Sequence, residues 1–169
     1  MCPKWFEFLN IGSNVNIYSL SIPFILPKTR GLKRIGPHNY DVICILIGSL
    51  LGDSFAERHG HGTRFCFQQE HLNTPYLFWF NNYLSELGYC TTTIPTITTW
   101  LGKGGKLRYL SRFRTYTYTS FNWTLTAFYP KGSKVIPLDI YDYLSPLALA
   151  VWIMEDGGKV SSGLKISYK

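Results

Sequence analysis

The stretch YDVICILIGSLLGD, from Tyr40 to Asp53, decides the fold. Its nearly unbroken apolar run predicts a buried helix, and Asp41 stands where a side chain can cap the first turn. Gly48 and Gly52 are four residues apart and therefore share one face of that helix. Because glycine costs roughly 1 kcal/mol relative to alanine inside a helix, two on one face indicate that another helix backbone approaches closely.

A second apolar segment has the same plan, and Leu46–Asp53 and Leu149–Asp156 lie 103 residues apart. Each has a small residue near its start, Gly48 or Ala150, and a single aspartate at its end. The two segments therefore indicate an internal repeat, with one copy in each structural half. We expect Gly48, Gly52 and Ala150 at the contact between the two helices.

The position of the two aspartates predicts a metal site. A carboxylate at a helix C-terminus opposes the helix dipole, at a cost of roughly 0.3–1 kcal/mol. If the helices pack side by side, Asp53 and Asp156 come together, and like charges at that range either raise a pKa or require a cation. Mg²⁺ meets the requirement, because it binds carboxylate, carbonyl and water oxygens. The alternative is that each aspartate is an ordinary loop residue at a helix end.

Composition indicates a polyanionic partner. The 169 residues carry a net charge of +7, and 17% of them are aromatic. Between Leu87 and Leu138 there is no acidic residue, but there are seven lysines or arginines. An ordinary solvated face mixes charges of both signs, so this stretch favours a surface for nucleic acid. The alternative is a basic protein that has no such partner.

The periodicity predicts an α+β fold in the order helix, strand, helix, strand, strand, helix, helix. After the first helix, the predicted elements are a strand at 63–69, a helix at 73–87, strands at 93–101 and 107–119, and helices at 120–128 and 144–156. Residues 164–168 supply one further strand. Residues 103–106, KGGK, form the turn between two of the strands.

The remaining features exclude some classes of protein. No segment reaches the roughly 20 apolar residues that a membrane span needs, so we expect no membrane partner. The four cysteines show no C-x-x-C spacing, which is typical of a reducing compartment.

Residues 1–27 have no periodic pattern, and the basic residues 28–39 form either a linker along a phosphate backbone or a disordered arm.

Both aspartate segments resemble the LAGLIDADG motif of homing endonucleases and intron maturases. The resemblance covers residues 34–160 and is closest to the monomeric, two-motif, intron-encoded subgroup. It includes RIGPHN at 34–39, RFCFQQ at 64–69, KVIP at 134–137 and LSPLALAVWIMEDGG at 144–158. It implies a LAGLIDADG-type fold, an αββαββα-like unit with a curved antiparallel sheet that binds DNA, and a second repeat that is incomplete.

The same resemblance implies roles for individual residues. Asp53 and Asp156 match the acidic residues that bind the divalent metal, Mg²⁺ or another cation, and place the hydrolytic water. The backbone carbonyls of Gly52 and Glu155 match those that complete the metal shell. Lys134 matches a basic residue that supports catalysis, and its alternative is a solvated turn lysine. The residues expected to bind nucleic acid are Arg58, Arg64, Gln68, Lys103, Lys106, Arg108, Arg112 and Arg114.

The predicted domains are an N-terminal extension and basic linker (1–39), a first LAGLIDADG-type domain (40–145) and the start of a truncated second repeat (146–169). Three explanations fit the short second repeat: completion by a second polypeptide, which we favour, a degenerate remnant, or self-pairing.

The sequence therefore predicts half of a metal-dependent, site-specific endonuclease for double-stranded DNA. The alternative is a non-catalytic protein for structured RNA, either maturase-like or a structural part of an organellar ribonucleoprotein. The resemblance also implies a mitochondrial or chloroplast location.

Overall fold

The computed structural model describes residues 30–70 and 73–166. Its helices are α1 (Tyr40–Leu51), α2 (Thr74–Glu86), α3 (Asn122–Phe128) and α4 (Pro146–Asp156). Its strands are β1 (Phe55–His59), β2 (Gly62–Glu70), β3 (Ile97–Leu101), β4 (Leu107–Arg114), β5 (Gly157–Val160) and β6 (Gly163–Ile166). Residues 1–29 and the last part of the strand predicted at 164–168 lie outside the described residues.

The first unit is built around a four-stranded antiparallel sheet with the order β1-β2-β4-β3. The α+β class and the αββαββα order of this unit are confirmed. The periodicity gave only one strand between α1 and α2 and so missed β1. Its sequence, FAERH, has no clear alternation, and it becomes a strand because its residues pair with β2, Phe55 opposite Cys66 and His59 opposite Gly62.

The core lies between one face of this sheet and the helices. Phe65 and Phe67 of β2 point inward, are at most 1% exposed and contact Phe121 and Phe80 respectively. Nine of the twelve residues of α1 are buried, because the helix contacts neighbours on most of its circumference. Leu77 and Leu84 of α2 complete this layer. The opposite face of the sheet is left open.

The segment that leads into α1 is part of the folded domain. Asn39, not Asp41, is the N-cap of α1, because its side chain accepts a hydrogen bond from the Asp41 amide at 2.8 Å. Arg34 is buried and lies 4.5 Å from the centre of the Tyr116 ring. His38 is stacked on Phe121. For residues 34–39 the expectation of a disordered arm is therefore wrong, while contact of the basic segment with a phosphate backbone stays a prediction.

The second unit begins with α4 and continues into the β5–β6 hairpin, whose residues are exposed apart from Ile166. The hairpin includes β5, a strand that the sequence pattern missed because its four residues, GGKV, show no alternation. Within the described residues, no helix has both the length and the apolar character that crossing a membrane requires.

Candidate active site and nucleic-acid interface

Helices α1 and α4 meet at two glycines of α1. A β-carbon at Gly48 would overlap the backbone carbonyl of Ala148, and one at Gly52 would lie 2.6 Å from a carboxylate oxygen of Glu155. At these distances there is no room for a side chain at either position. Glycine at both positions therefore lets the two backbones approach closely and leaves space for Glu155.

Ala150, expected at this contact, is exposed. Ala148 and Glu155 of α4 contact the two glycines of α1, and Val151, which is buried, lies between them on the same helical face. Ala150 is two positions from Ala148 and therefore points away from it. The prediction identified the correct helix but the wrong alanine.

Asp53 and Asp156 lie at the same end of the two helices and border one open cleft of about 370 Å³. Asp53 directly follows the residue that caps α1, and Asp156 is the last residue of α4. The cleft is also lined by Glu155 and by two lysines of the hairpin, Lys159 and Lys165. The structure thus brings both predicted acids to one place, beside positive charge.

Glu155 holds the ends of the two helices together through its side chain. One of its carboxylate oxygens accepts hydrogen bonds from the Asp53 amide at 3.1 Å and from the Ser54 hydroxyl at 3.4 Å. Burial, together with the negative charges of Asp53 and Asp156, raises the pKa of Glu155 to about 8. Only the backbone carbonyl of Glu155 had been expected to matter, so this bridge from α4 to α1 was missed.

Lys134 reaches the same place from the loop after α3. Its Nζ donates to the backbone carbonyls of Gly52 at 2.6 Å and Ser54 at 3.0 Å. The lysine is therefore held beside Asp53 instead of being solvated in a turn. The Gly52 carbonyl, expected as a metal ligand, already accepts this hydrogen bond and has its second lone pair left.

The side-chain oxygens at this cleft are ligands that an oxygen-preferring cation would bind. Asp53 and Asp156 offer carboxylate oxygens, which suit Mg²⁺, whereas zinc sites are usually built from cysteine and histidine. In the part of the chain that the structure describes, no group of three or more histidine, cysteine, aspartate or glutamate side chains is arranged to hold a metal. A cation here would therefore depend on two carboxylates, backbone carbonyls and water.

The open face of the sheet carries most of the residues expected to bind nucleic acid. Gln68 of β2 lies opposite Arg112 of β4, and Glu57 of β1 lies opposite Arg64 of β2. Because side chains alternate along a strand, Arg114 and Arg108 share this face with Arg112. We call this surface the basic face and define it by Glu57, Arg64, Gln68, Glu70, Trp100, Arg108, Arg112 and Arg114.

The other three expected residues lie elsewhere. Arg58 of β1 pairs with Thr63 of β2, one position away from the Glu57–Arg64 pair, so its side chain lies on the face of the sheet opposite to the basic face. It donates to the His61 carbonyl at 3.4 Å. Lys103 and Lys106 belong to the loop between β3 and β4, and Lys106 is exposed. The alternation of β1 could have excluded Arg58 from the basic face if that strand had been recognised.

Acidic and amide side chains hold the arginines of the basic face in place. Arg108 forms an ion pair with Glu70 at 2.8 Å, and Arg112 donates to Gln68 at 3.0 Å. Glu57 contacts Arg64 and Arg114. Neither glutamate was singled out from the sequence, because the pairs join residues from different strands. Each arginine of the basic face therefore has an acidic or amide neighbour on the sheet itself.

The basic face and the aspartate cleft are adjacent. Asp53 also borders a second hollow, of about 340 Å³, which is lined by Gln68, Glu70, Trp100 and Arg108. A polyanion lying on the basic face would therefore pass beside Asp53. The carboxylate of Asp53 therefore lies at the border between the cleft and the basic face.

Comparison with known proteins extends these observations. The model of the LAGLIDADG DNA endonuclease family matches residues 43–169. The chain is 44% identical over 162 residues to cytochrome b mRNA maturase bI2 of Saccharomyces cerevisiae, which covers 91% of this chain and 38% of that protein. It is 37% identical over 89 residues to the intron-encoded endonuclease ai4 of Dictyostelium discoideum, which covers 50% of this chain and 56% of that protein.

Among solved structures, the homing endonuclease I-WcaI bound to its DNA recognition sequence has the same fold, with a TM-score of 0.65 at 21% identity. The match covers 91% of this chain and 63% of the I-WcaI chain. The 169 residues thus span less than two thirds of the length of each of these three proteins.

Proposed function

Because this chain belongs to the LAGLIDADG DNA endonuclease family, we propose that it forms part of a divalent-metal-dependent endonuclease that cleaves double-stranded DNA at specific sites. The observation that carries the proposal is the single cleft bordered by both Asp53 and Asp156 next to the basic face. Binding alone would not require two carboxylates there, since they repel phosphate.

Asp53 and Asp156, with backbone carbonyls of Gly52 and Glu155, are the groups that would hold the cation, for which we propose Mg²⁺. When bound, such a cation lowers the pKa of a water molecule and stabilises charge on the scissile phosphate. Lys134 is a positioning residue: its two hydrogen bonds fix the backbone on either side of Asp53. Its ammonium group also places a positive charge next to the phosphate path.

The basic face would bind the duplex. Four arginines and Gln68 cover one side of the sheet, and their donors suit phosphate oxygens and the acceptor groups of base edges in the major groove. The arginine pairing with Glu57, Glu70 and Gln68 leaves part of each guanidinium available. This division of labour, with sequence reading on the sheet and chemistry at the helix ends, is the one we infer.

A second DNA-binding sheet would complete the site around α4. The first unit has four strands, whereas α4 is followed by an exposed two-stranded hairpin in the described residues. Leu147, Leu149 and Met154 of α4 are 37–50% exposed, which is apolar surface that a further layer would cover. We propose that this layer comes from outside residues 30–166, in a longer polypeptide or in a second one.

The test uses the natural polypeptide or complex that carries this chain, with Mg²⁺ and a library of randomised DNA duplexes. We expect Asp53→Asn and Asp156→Asn each to reduce cleavage roughly 100-fold or more. Both variants should still bind the duplexes that wild type selects. Unchanged cleavage by either variant would contradict a role for that aspartate, and no cleavage by wild type would contradict the endonuclease.

A second function is favoured by the name of the yeast relative, an mRNA maturase at 44% identity. In that case the chain binds structured RNA as part of a maturase or another organellar ribonucleoprotein and carries out no hydrolysis. The discriminating measurement is binding of the host intron RNA by wild type and by the two aspartate variants. RNA binding that is unaffected by the variants, in a protein that cuts no duplex, would establish this alternative.

We also propose a mitochondrial location. It is supported by the yeast relative, whose name refers to the mRNA of cytochrome b, a respiratory-chain protein. Fractionation of cells that express the natural polypeptide, with an antibody against this chain, tests the proposal. Recovery in the cytosol alone would contradict it.

A further inference from the structure

Glu57 is an acidic residue inside the basic face. One of its carboxylate oxygens, Oε1, lies 2.6 Å from Nε of Arg64 and 3.3 Å from Nε of Arg114. The thiol of Cys66 donates to the same oxygen at 3.1 Å. Three side chains from β2 and β4 therefore converge on a single acceptor of β1.

Stability does not account for this cluster. The three charged side chains are 26–39% exposed, and ion pairs at that exposure are worth about 0–1 kcal/mol. For binding to phosphates, a negative charge at this place is a disadvantage. A carboxylate at this position is better explained by a direct contact with a hydrogen-bond donor of the ligand.

The geometry of the cluster leaves specific groups free for a ligand. Both arginines use Nε for Glu57, and Arg114 also contacts the thiol of Cys66. Among the described hydrogen bonds, the forked end formed by the two terminal nitrogens of Arg64 has no other acceptor, and Arg114 has further N–H groups that can donate to a ligand. All three contacts of Glu57 use Oε1, and Oε2 remains as an acceptor. The hydrogen bonds from Cys66 and Arg64 and the charges of both arginines outweigh the effect of burial and lower the pKa of Glu57, which keeps it ionised at neutral pH.

We propose that Glu57, Arg64 and Arg114 form one unit that reads a G·C base pair in the major groove of DNA bound on the basic face. An arginine fork donates to O6 and N7 of guanine, and Oε2 of Glu57 accepts from the N4 amino group of the paired cytosine. The inference rests on the proposed binding of duplex DNA and adds a sequence preference to it.

The donor–acceptor pattern of the base pairs favours G·C. Guanine presents two neighbouring acceptors in the major groove, which match an arginine fork, and its partner cytosine presents a donor, which matches a carboxylate. In an A·T pair, adenine places a donor next to its single acceptor, and one of the two arginine donors would face it. A phosphate has acceptors only and would be repelled by Glu57.

The experiment is a binding-site selection from a library of randomised DNA duplexes, carried out with the natural polypeptide or complex. Wild type is compared with Glu57→Gln, which keeps the size of the side chain but replaces the acceptor Oε2 by a donor amide. The matched control is Glu86→Gln, which makes the same charge change at an exposed position of α2, where Glu86 contacts only Asn82 among the described hydrogen bonds.

We expect wild type and Glu86→Gln to require G·C at one position of the selected sites. Glu57→Gln should lose that preference by about 10-fold, while its affinity for unselected duplex stays the same or rises, because the face has become more positive. A damaged fold would lower both quantities together, so the split separates base reading from a structural role.

Arg114→Lys gives an independent test, since it keeps the charge but removes the fork, and it should weaken the preference at the same position. An unchanged G·C requirement in both variants would overturn the inference while leaving duplex binding intact. If wild type binds no duplex, the proposed function and the inference fail together.

Discussion

At the residue scale, Lys134 makes contacts that its sequence context does not predict. It lies in the loop GSKVIP, where a solvated lysine is the usual expectation, but its Nζ donates to two backbone carbonyls next to Asp53. Only the resemblance of KVIP to a family motif predicted a role for this lysine at the site. The contact with Gly52 joins residues 82 positions apart, so no local pattern contains it.

Replacement of Lys134 by methionine should therefore affect both stability and chemistry. The variant leaves the carbonyls of Gly52 and Ser54 without their charged donor, and we expect the free energy of unfolding to fall by about 1–3 kcal/mol. Cleavage should fall further than duplex binding, because the backbone around Asp53 is no longer fixed. Chemical denaturation and single-turnover cleavage measure the two effects.

The matched control is Lys131→Met in the same loop, since Lys131 is exposed. It removes the same charge and should leave the unfolding free energy within about 0.5 kcal/mol of wild type. Equal effects of the two substitutions on stability and on cleavage would show that the contact with Gly52 has no special role.

His38 gives a prediction for the pH dependence of stability. Its ring lies within hydrogen-bond distance of the hydroxyls of Tyr89 (3.0 Å) and Ser120 (2.6 Å), and burial lowers its pKa from 6.5 to about 4. The unfolded chain therefore binds a proton between pH 6.5 and 4 that the folded protein does not. The stabilisation is fully present above pH 6.5 and declines as the pH falls towards 4.

We expect wild type to lose roughly 1–2 kcal/mol through this group over that interval, after allowance for the partial exposure of the ring. His38→Gln should show a smaller slope of unfolding free energy against pH between 5 and 6.5, a range in which most carboxylates are already ionised. The other three histidines are present in both proteins, so the difference isolates His38. Equal slopes would refute the assignment.

At the element scale, the contact between α1 and α4 depends on the absence of a side chain at Gly48. In an isolated helix Gly→Ala would be favourable by about 1 kcal/mol. Here the added methyl group would meet the carbonyl of Ala148, so the helices must separate. We expect Gly48→Ala to destabilise the protein by about 1–3 kcal/mol, as overpacked cores do.

Gly163→Ala is the control for this prediction. Gly163 lies in exposed β6, and a β-carbon there would meet nothing within 4 Å. Thermal or chemical unfolding should therefore place this variant within about 0.5 kcal/mol of wild type. A Gly48→Ala protein as stable as wild type would mean that the helices are not as close as the structure has them.

The elements also show what the sequence could and could not predict. Segments with a long apolar run or a clear periodicity were predicted well, since α1, α2, β2 and α4 lie within a few residues of their expected bounds. Predictions failed where tertiary pairing decides the conformation. The strands β1 and β5 have no pattern of their own and form because each has a neighbouring strand to pair with.

The candidate site divides in the same way. The two aspartates could be found because each ends an apolar segment, and both border one cleft. The bridge from Glu155 to the Asp53 amide, the cluster at Glu57 and the contact of Ala148 with Gly48 join parts of the chain that are distant in sequence. One sequence holds no signal for such pairs, because helix and strand periodicity describe only one element at a time.

At the scale of the whole molecule, the position of the positive charge should matter more than its amount. The chain has a net charge of +7, but the arginines of the basic face lie together on one side of the sheet. A bound polyanion releases counterions in proportion to the phosphates that it contacts. Charges on the binding surface should therefore determine the salt dependence, while charges elsewhere contribute little.

A pair of triple variants with equal net charge tests this expectation. The first replaces Arg64, Arg112 and Arg114 of the basic face by glutamine. The second replaces Arg30, Lys33 and Lys131, which are exposed and lie outside the sheet. Both lower the net charge from +7 to +4. We expect the slope of log K against log salt for duplex binding to fall in magnitude by about 2–3 in the first variant and by less than about 1 in the second. Equal slopes in the two variants would indicate that nucleic acid responds to the overall charge of the molecule, and the basic face would then no longer be the binding surface.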